Sequence, residues 1–290
     1  MTLLGLVGTL PDWLVIWSPR IVTALFLFAF GASVGSFLNV VVWRLPRDES
    51  VVWPGSHCPH CGHDLPWFHN IPLLSWLLLR GRCGFCSAPI SVQYPAVELL
   101  SAGLWVLLTL PGAGRMGELP PLLNLLAGGM LLSWLLPLAL IDARTMRLPE
   151  PLCRWGVVSG LLLSAALGAL QGQAAELLLW HATAAAIGLL AFESISAGAE
   201  RLLGMPALGL GDAKLAALLG AWLGLKGLGV AIASAVLLGA LFGVAGRLSG
   251  RLGPRQPFPF GPFLAAGGVL SWIAADPIGK LLIQPDRLGV

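Results

Sequence analysis

The sequence predicts an all-α polytopic membrane protein of about eight transmembrane helices, with a small zinc-ribbon-like loop domain. Of its 290 residues, 57% are hydrophobic and only 11% are charged, whereas soluble domains average about 25% charged residues. The mean hydropathy is +0.84. Eight apolar stretches approach the roughly 20 residues that a helix needs to cross a bilayer. A single longer polar segment, residues 44–93, interrupts them.

The predicted spans follow one another through short connections after this segment. The sixth and seventh depend on one break, residues 224–227, in an otherwise continuous apolar stretch; without it the chain has seven spans and its C-terminus changes sides. We therefore expect an N-terminal segment with the first span (1–43), a polar loop (44–93) and a membrane core (94–290). The eight spans are residues 21–43, 94–111, 121–141, 154–170, 176–195, 212–225, 227–246 and 261–276.

The distribution of Lys and Arg predicts the orientation. Cytoplasmic loops of membrane proteins carry an excess of these residues. If residues 44–93 are cytoplasmic, the same side holds most of the 17 basic residues: Arg44, Arg47, Arg80, Arg82, Arg144, Arg147, Arg154, Arg201, Lys214, Arg247, Arg251 and Arg255. The opposite side keeps Arg20, Arg115, Lys226, Lys280 and Arg287.

The polar loop contains two Cys-x-x-Cys pairs, which predict a structural zinc site. Four thiolates satisfy a closed tetrahedral zinc centre. A loop this short buries too little apolar surface to fold alone, so the metal would supply much of its stability. Gly62 and Gly84 are expected to provide the tight turns. The ligands would be Cys58, Cys61, Cys83 and Cys86, with His57, His60 and His63 as exposed neighbours.

Two other interpretations of the cysteines are open. The four thiols could form two disulfides, although a reducing cytoplasm disfavours them. One pair could be a thioredoxin-like redox site, but the segment lacks the βαβ pattern of that fold.

Two aspartates lie at the edges of apolar stretches. Asp142 follows the apolar run 131–141, and Asp212 precedes the run that begins at Ala213. An ionisable residue there is costly unless it faces a bundle interior, a partner or water, so it suggests a functional site. The topology places both acids at cytoplasmic helix ends. Close carboxylates can share one proton and activate water for peptide hydrolysis. Alternatively, Asp142 pairs with Arg144 or Arg147, and Asp212 caps its helix.

The surroundings of Asp212 suit a peptide substrate. Gly209 and Gly211 allow close backbone packing and an open extended segment beside the acid, and Lys214 lies two positions further on. Lys214 is a candidate for substrate contact or for an interfacial lysine. Glu98, one turn inside the second span, is a candidate for contact with a substrate amine or a cofactor, or for pairing with an arginine of the loop.

These features in this order resemble the bacterial prepilin peptidases, the type IV leader peptidases of the A24 family of GxGD-type intramembrane aspartic proteases. The resemblance covers nearly the whole chain from about residue 30. Glu150 is a departure, because the family often has Asp there. The matching segments are 31–46, the cysteine loop 58–86, 94–98, Asp142 with Leu148 and Pro149, the GxGDxK motif at 209–214, and 259–265.

The resemblance implies an enzyme of the bacterial inner membrane. It would remove the leader of type IV prepilins or type II secretion pseudopilins after a glycine on the cytoplasmic side, with Asp142 and Asp212 as catalytic residues. It would also N-methylate the new N-terminal residue, usually Phe, with S-adenosylmethionine. The expected partners are these pilins and the lipid bilayer, and no nucleic acid. The alternatives are a peptidase without methyltransferase activity, or a transporter or proton relay that uses the paired acids.

Overall fold

The structure is a computed structural model that describes residues 12–110, 120–203, 209–253 and 256–274. Within these ranges the chain is helical, with two isolated antiparallel bridges and no longer strand. The all-α prediction is confirmed. The helices are α1 (Asp12–Arg44), α2 (Leu74–Leu78), α3 (Gln93–Leu107), α4 (Pro121–Thr145), α5 (Glu150–Leu170), α6 (Ala174–Leu203), α7 (Leu210–Leu248) and α8 (Gly261–Ile273). Two 3₁₀ turns, Leu45–Arg47 and Trp67–Asn70, lie in the loop between α1 and α3.

Five helices are long and apolar enough to cross a membrane: α1, α4, α5, α6 and α7. Helix α8 is apolar but has only 13 residues, and α3 has 15. Each predicted span coincides with one of these helices or with half of α7. Residue 111 of the second predicted span and residues 275 and 276 of the eighth lie outside the described residues. The protein is therefore a multi-pass membrane protein.

Helix α7 contains the break that the sequence predicts. Its 39 residues include one non-helical position, Gly224, with φ 59° and ψ −173°. A straight helix of that length would measure about 58 Å, roughly twice the hydrocarbon core of a bilayer. The left-handed φ is accessible to glycine at little cost. Two helical segments therefore meet at Gly224, in agreement with the predicted sixth and seventh spans.

The described residues divide into two compact units, the first within residues 1–40 and 52–110 and the second within 41–51 and 111–290. In the first unit, α1 packs against α3 through glycines. A Cβ at Gly31 would lie 2.8 Å from Cβ of Trp105, and one at Gly35 would lie 2.8 Å from Cα of Glu98. The Ser101 hydroxyl donates to the Gly31 carbonyl over 2.7 Å. Small residues four apart allow this backbone approach.

The second unit is held together by similar close contacts between α6, α7 and α8. A Cβ at Gly220 would lie 2.5 Å from the carbonyl oxygen of Ala184, and one at Gly188 would lie 2.8 Å from that of Ala216. The indole N–H of Trp222 donates to the carbonyl of Gly156 on α5 over 2.8 Å. These contacts fix the first half of α7, which carries Asp212 in its first turn.

Candidate active site and metal centre

The two cysteine turns of the loop share one backbone pattern. In the first, the Cys58 N–H donates to the His63 carbonyl and the Gly62 N–H donates to the Cys58 carbonyl, both over 2.9 Å. The second turn, residues 83–88, repeats the two bonds over 2.8 and 2.9 Å. Each turn thus presents its two thiols from a closed backbone loop. This is the form of a zinc-binding knuckle.

Left-handed backbone occurs directly after each turn's second cysteine. Gly62 has φ +70° and Ser87, at the equivalent position, has φ +59°. The glycine prediction is therefore correct for Gly62 and wrong for Gly84, which has no positive φ. Gly84 serves a different need, because a Cβ there would lie 2.8 Å from Cε1 of His69. Gly84 therefore makes room for the imidazole of His69, and a methyl group there would have to displace this side chain.

The four thiols converge on one point. Their sulfur atoms all lie within 4.8 Å of one another, and the Cys58 and Cys86 sulfurs are 3.8 Å apart. A tetrahedron with Zn–S bonds of about 2.3 Å has edges of about 3.8 Å, so the set fits zinc. Backbone N–H groups of Cys61 and His60 lower the pKa of Cys58 from 9.0 to about 7, which favours the thiolate that binds metal. All five cysteines of the chain are free thiols, and the convergence of four sulfurs on one point favours the metal site over two disulfides.

The neighbouring histidines are not part of this ligand group. His57, His60 and His63 are exposed, as the sequence predicts. His57 directs Nδ1 at the Gly55 carbonyl 3.1 Å away, and the His63 ring stacks on Phe85 with centroids 4.8 Å apart.

Both aspartates are buried at helix ends in the second unit. Asp142, 5% exposed, lies in the last turn of α4, and Asp212, 9% exposed, lies in the first turn of α7. The Gly261 N–H donates to Oδ2 of Asp142 over 2.9 Å. The Gly209 N–H points at Oδ2 of Asp212 over 3.3 Å. Asp212 is therefore a helix-capping residue as well as a buried acid. No ion pair joins Asp142 to the described Arg144 or Arg147.

Contacts between the α4–α5 connection and the start of α7 bring the two acids together. A Cβ at Gly211 would lie 3.0 Å from Cβ of Leu148, so the glycine allows the connection to pack against α7. The Lys214 ammonium forms an ion pair with Glu150 over 3.0 Å. Asp142 lies close enough for its charge to act on the carboxyl group of Asp212. Two carboxyl groups that come close together can share a proton and polarise water between them.

Glu98 belongs to the first unit and is 7% exposed. Its Oε2 accepts the Leu73 N–H over 2.7 Å, and the Ser36 hydroxyl is a second hydrogen-bonding partner. Leu73 has a φ of 61°, which is rare for a branched side chain. The carboxylate therefore holds a strained loop residue against α1 and α3.

Gly261 was not predicted as a site residue. Its contribution is a backbone N–H at the first turn of α8, and it lies 119 residues from Asp142. The signals in the sequence were its place in the family-like segment 259–265 and its position before Pro262, which marks a helix start.

The comparisons cover both units. Residues 29–111 match the bacterial peptidase A24 N-terminal domain, and residues 129–244 match the type IV leader peptidase family. A prepilin leader peptidase/N-methyltransferase of Aeromonas hydrophila is 37% identical over 289 residues, which is 88% of this chain and 91% of that protein. The chain belongs to the type IV leader peptidase family. A protein of the same name from Burkholderia pseudomallei (strain 1026b) is 35% identical, with 89% of this chain and 87% of that protein covered.

A third relative is matched over a smaller share of its own length. The prepilin leader peptidase/N-methyltransferase of Myxococcus xanthus (strain DK1622) is 43% identical over 239 residues, and the match spans 80% of this chain but 66% of that protein. No solved structure matches the chain. Within the family match at 129–244 lie Asp142, Asp212 and the Glu150–Lys214 ion pair, whereas Gly261 lies outside it. The cysteine turns fall in the N-terminal domain match.

Proposed function

We propose that the protein is a membrane-embedded aspartic endopeptidase that removes the leader peptide of type IV prepilins or type II secretion pseudopilins. The observation that carries the proposal is the pair of buried carboxyl groups at one end of the second unit, at the ends of α4 and α7. Relatives matched over most of their length are named prepilin leader peptidase/N-methyltransferase. A buried acid pair has little structural benefit, because ordinary apolar residues would fill these positions at lower cost.

The hydrolysis follows from two carboxyl groups that hold one proton. The ionised carboxylate takes a proton from a water molecule as the water oxygen bonds to the scissile carbonyl carbon. The protonated carboxyl group gives its proton to the carbonyl oxygen. When the C–N bond breaks, the leaving nitrogen takes a proton from the first acid, and the second acid takes back the proton of the hydroxyl group formed from the carbonyl oxygen. The two products are a carboxylic acid and a free amine, and the acid pair again holds one proton. General acid–base steps of this kind contribute about 10²–10⁴-fold each.

The experiment is a prepilin cleavage assay with Asp142→Asn and Asp212→Asn. The amide keeps the side-chain shape but cannot exchange the proton, so each variant should lose at least about 10²-fold in cleavage rate. Glu200→Gln, a matched change at an exposed acid of α6, should cleave like the wild type. Full activity of either aspartate variant would refute the assignment.

We also propose that the protein N-methylates the new N-terminal residue, with S-adenosylmethionine as the methyl donor. The donor supplies a methyl group on a cationic sulfonium centre. Glu98 remains our candidate for contact with this cation or with the substrate amine, because its carboxylate is buried and its hydrogen-bonding partners, the Leu73 N–H and the Ser36 hydroxyl, are neutral. Mass spectrometry of the processed pilin N-terminus tests this: Glu98→Gln should reduce methylation more than cleavage.

The metal is proposed to be zinc with a structural role, because four thiols leave no open coordination position. The active site is proposed to face the cytoplasm, supported by the excess of Lys and Arg on that side of the predicted topology. Gly209, Gly211 and Lys214 are proposed to line the path of the peptide beside Asp212. Labelling from either side of inner-membrane vesicles tests the orientation, with cysteines introduced one at a time at exposed loop positions and the unaltered protein as the control for its five native cysteines.

A further inference from the structure

Helix α8 begins in contact with one of the two acids. Gly261 is the first residue of α8, and its N–H donates to Oδ2 of Asp142 over 2.9 Å in a buried hydrogen bond. The first N–H groups of a helix have no partner within the helix. Asp142 itself lies in the last turn of α4, where the helix dipole disfavours a negative charge. The start of α8 supplies the compensating positive end.

The Asp142 side chain occupies the space that a side chain at Gly261 would need. A Cβ there would lie 2.6 Å from Oδ2, 3.0 Å from Cγ and 3.1 Å from Cβ of Asp142, and these are its three nearest atoms. The carboxyl group cannot escape by rotation, because the Asp142 Cβ is itself in tight contact. Any larger residue must therefore push the whole Asp142 side chain or α8 away.

We infer that Gly261 is a positioning residue of the peptidase, whose backbone N–H holds Oδ2 of Asp142 and leaves Oδ1 for the reacting water or proton. Helix α8 is then a third element of the site, beyond α4 and α7. The inference rests on the proposed peptidase function for its catalytic meaning, but the contact itself does not. A lysine or arginine at this place would neutralise the carboxylate. The Gly261 N–H carries no net charge, so it orients the carboxylate and leaves its charge in place.

The first test is Gly261→Ala in the full-length protein in detergent, with a prepilin as substrate. A displacement of about 1 Å in a reacting group can cost 10²-fold in rate, so we expect kcat to fall about 10²-fold with KM nearly unchanged. Methylation of an already cleaved pilin peptide should stay at the wild-type level, which reports an intact fold. The matched control is Gly229→Ala on α7, where a Cβ meets nothing within 4 Å. A kcat for Gly261→Ala within threefold of this control overturns the inference.

A double-mutant cycle on stability makes the test independent of activity. Asp142→Ala removes Oδ2 and Cγ, the two nearest atoms that the new methyl group would strike, and keeps only the Cβ contact at 3.1 Å. Gly261→Ala should therefore cost less stability in that background than in the wild type. If Gly261→Ala costs the same stability in the wild-type and Asp142→Ala backgrounds, the inferred contact is wrong. It is also wrong if Asp142→Ala accumulates in cells and the double variant does not. If instead Asp142→Asn keeps full cleavage while the cycle shows coupling, the proposed function fails and the contact stands.

Discussion

The first half of α7 should be intolerant of a single added methyl group at Gly220. A Cβ at this position would lie 2.5 Å from the Ala184 carbonyl oxygen and 2.6 Å from both the Ala184 carbonyl carbon and the Ala185 nitrogen. All three atoms are backbone atoms of α6, so no side-chain rotation relieves the contact. Ordinary contact begins at 3.4 Å. The helices must therefore separate by about 0.9 Å, the difference between 3.4 and 2.5 Å.

This separation has a calculable cost. Overpacking of a close-packed core costs about 1–3 kcal/mol, and a rigid backbone neighbour favours the upper end of that range. The wider gap also weakens the neighbouring contact of Gly188 with Ala216. In contrast, Gly229→Ala meets open space and should be neutral or stabilising by up to about 1 kcal/mol through helix propensity. We expect Gly220→Ala to be less stable than Gly229→Ala by at least about 2 kcal/mol.

The assay is equilibrium unfolding in mixed micelles with increasing SDS, followed by tryptophan fluorescence. The fluorescence of the 12 tryptophans reports unfolding of the whole protein. One of them, Trp222, lies two residues along α7 from Gly220, and its indole N–H donates to the Gly156 carbonyl on α5. Gly220 lies eight residues from Asp212, about 12 Å along the helix, so cleavage should fall by less than it does in Gly261→Ala. A stability difference below about 0.5 kcal/mol, the usual range of neutral surface changes, would refute the packing argument.

Two further predictions concern the metal and the ion pair. Each cysteine-to-serine change at the four thiols should remove most bound zinc while cleavage persists. The affinity for zinc should also weaken as the pH falls, because protons compete with the metal for the thiolates. Zinc content by mass spectrometry measures both, and a serine variant that keeps its full zinc content would contradict the assignment. The side chains of the Lys214–Glu150 pair are 40% and 67% exposed, so the pair should contribute less than about 1 kcal/mol to stability. Glu150→Gln should nevertheless lower the cleavage rate severalfold, because it releases the Lys214 ammonium beside Asp212. Adding Lys214→Met should restore the rate, and a double variant slower than Glu150→Gln would show that the lysine has a direct role.

Hydropathy was sufficient to predict most of the helices, because a bilayer leaves helices as the available form for long apolar segments. The break in α7 was also predictable, since residues 224–227 concentrate two glycines and a lysine within an apolar stretch. The left-handed Ser87 was not predicted. It becomes evident only when the two cysteine turns are superimposed, because Gly62 occupies the same place in the first turn.

The acids of the candidate site were predictable and their support was not. Asp142 and Asp212 are conspicuous because charges are costly at apolar edges. The Gly261 N–H is a backbone group, and every residue but proline carries one, so no residue type marks its role. Its contact spans 119 residues. The Lys214–Glu150 pair was missed for a related reason, since neither periodicity nor spacing links positions 64 residues apart.

The donors around the two acids have one property in common, which bears on the proposed sharing of a proton. Asp142 and Asp212 receive hydrogen bonds from the N–H groups of Gly261 and Gly209, which carry no net charge. A lysine or arginine bound directly to either acid would hold it ionised and oppose proton exchange. Lys214, the cation nearest in sequence to Asp212, is instead paired with Glu150. Neutral backbone donors fix the carboxyl groups in place and leave their charge free to change, as acid–base catalysis requires.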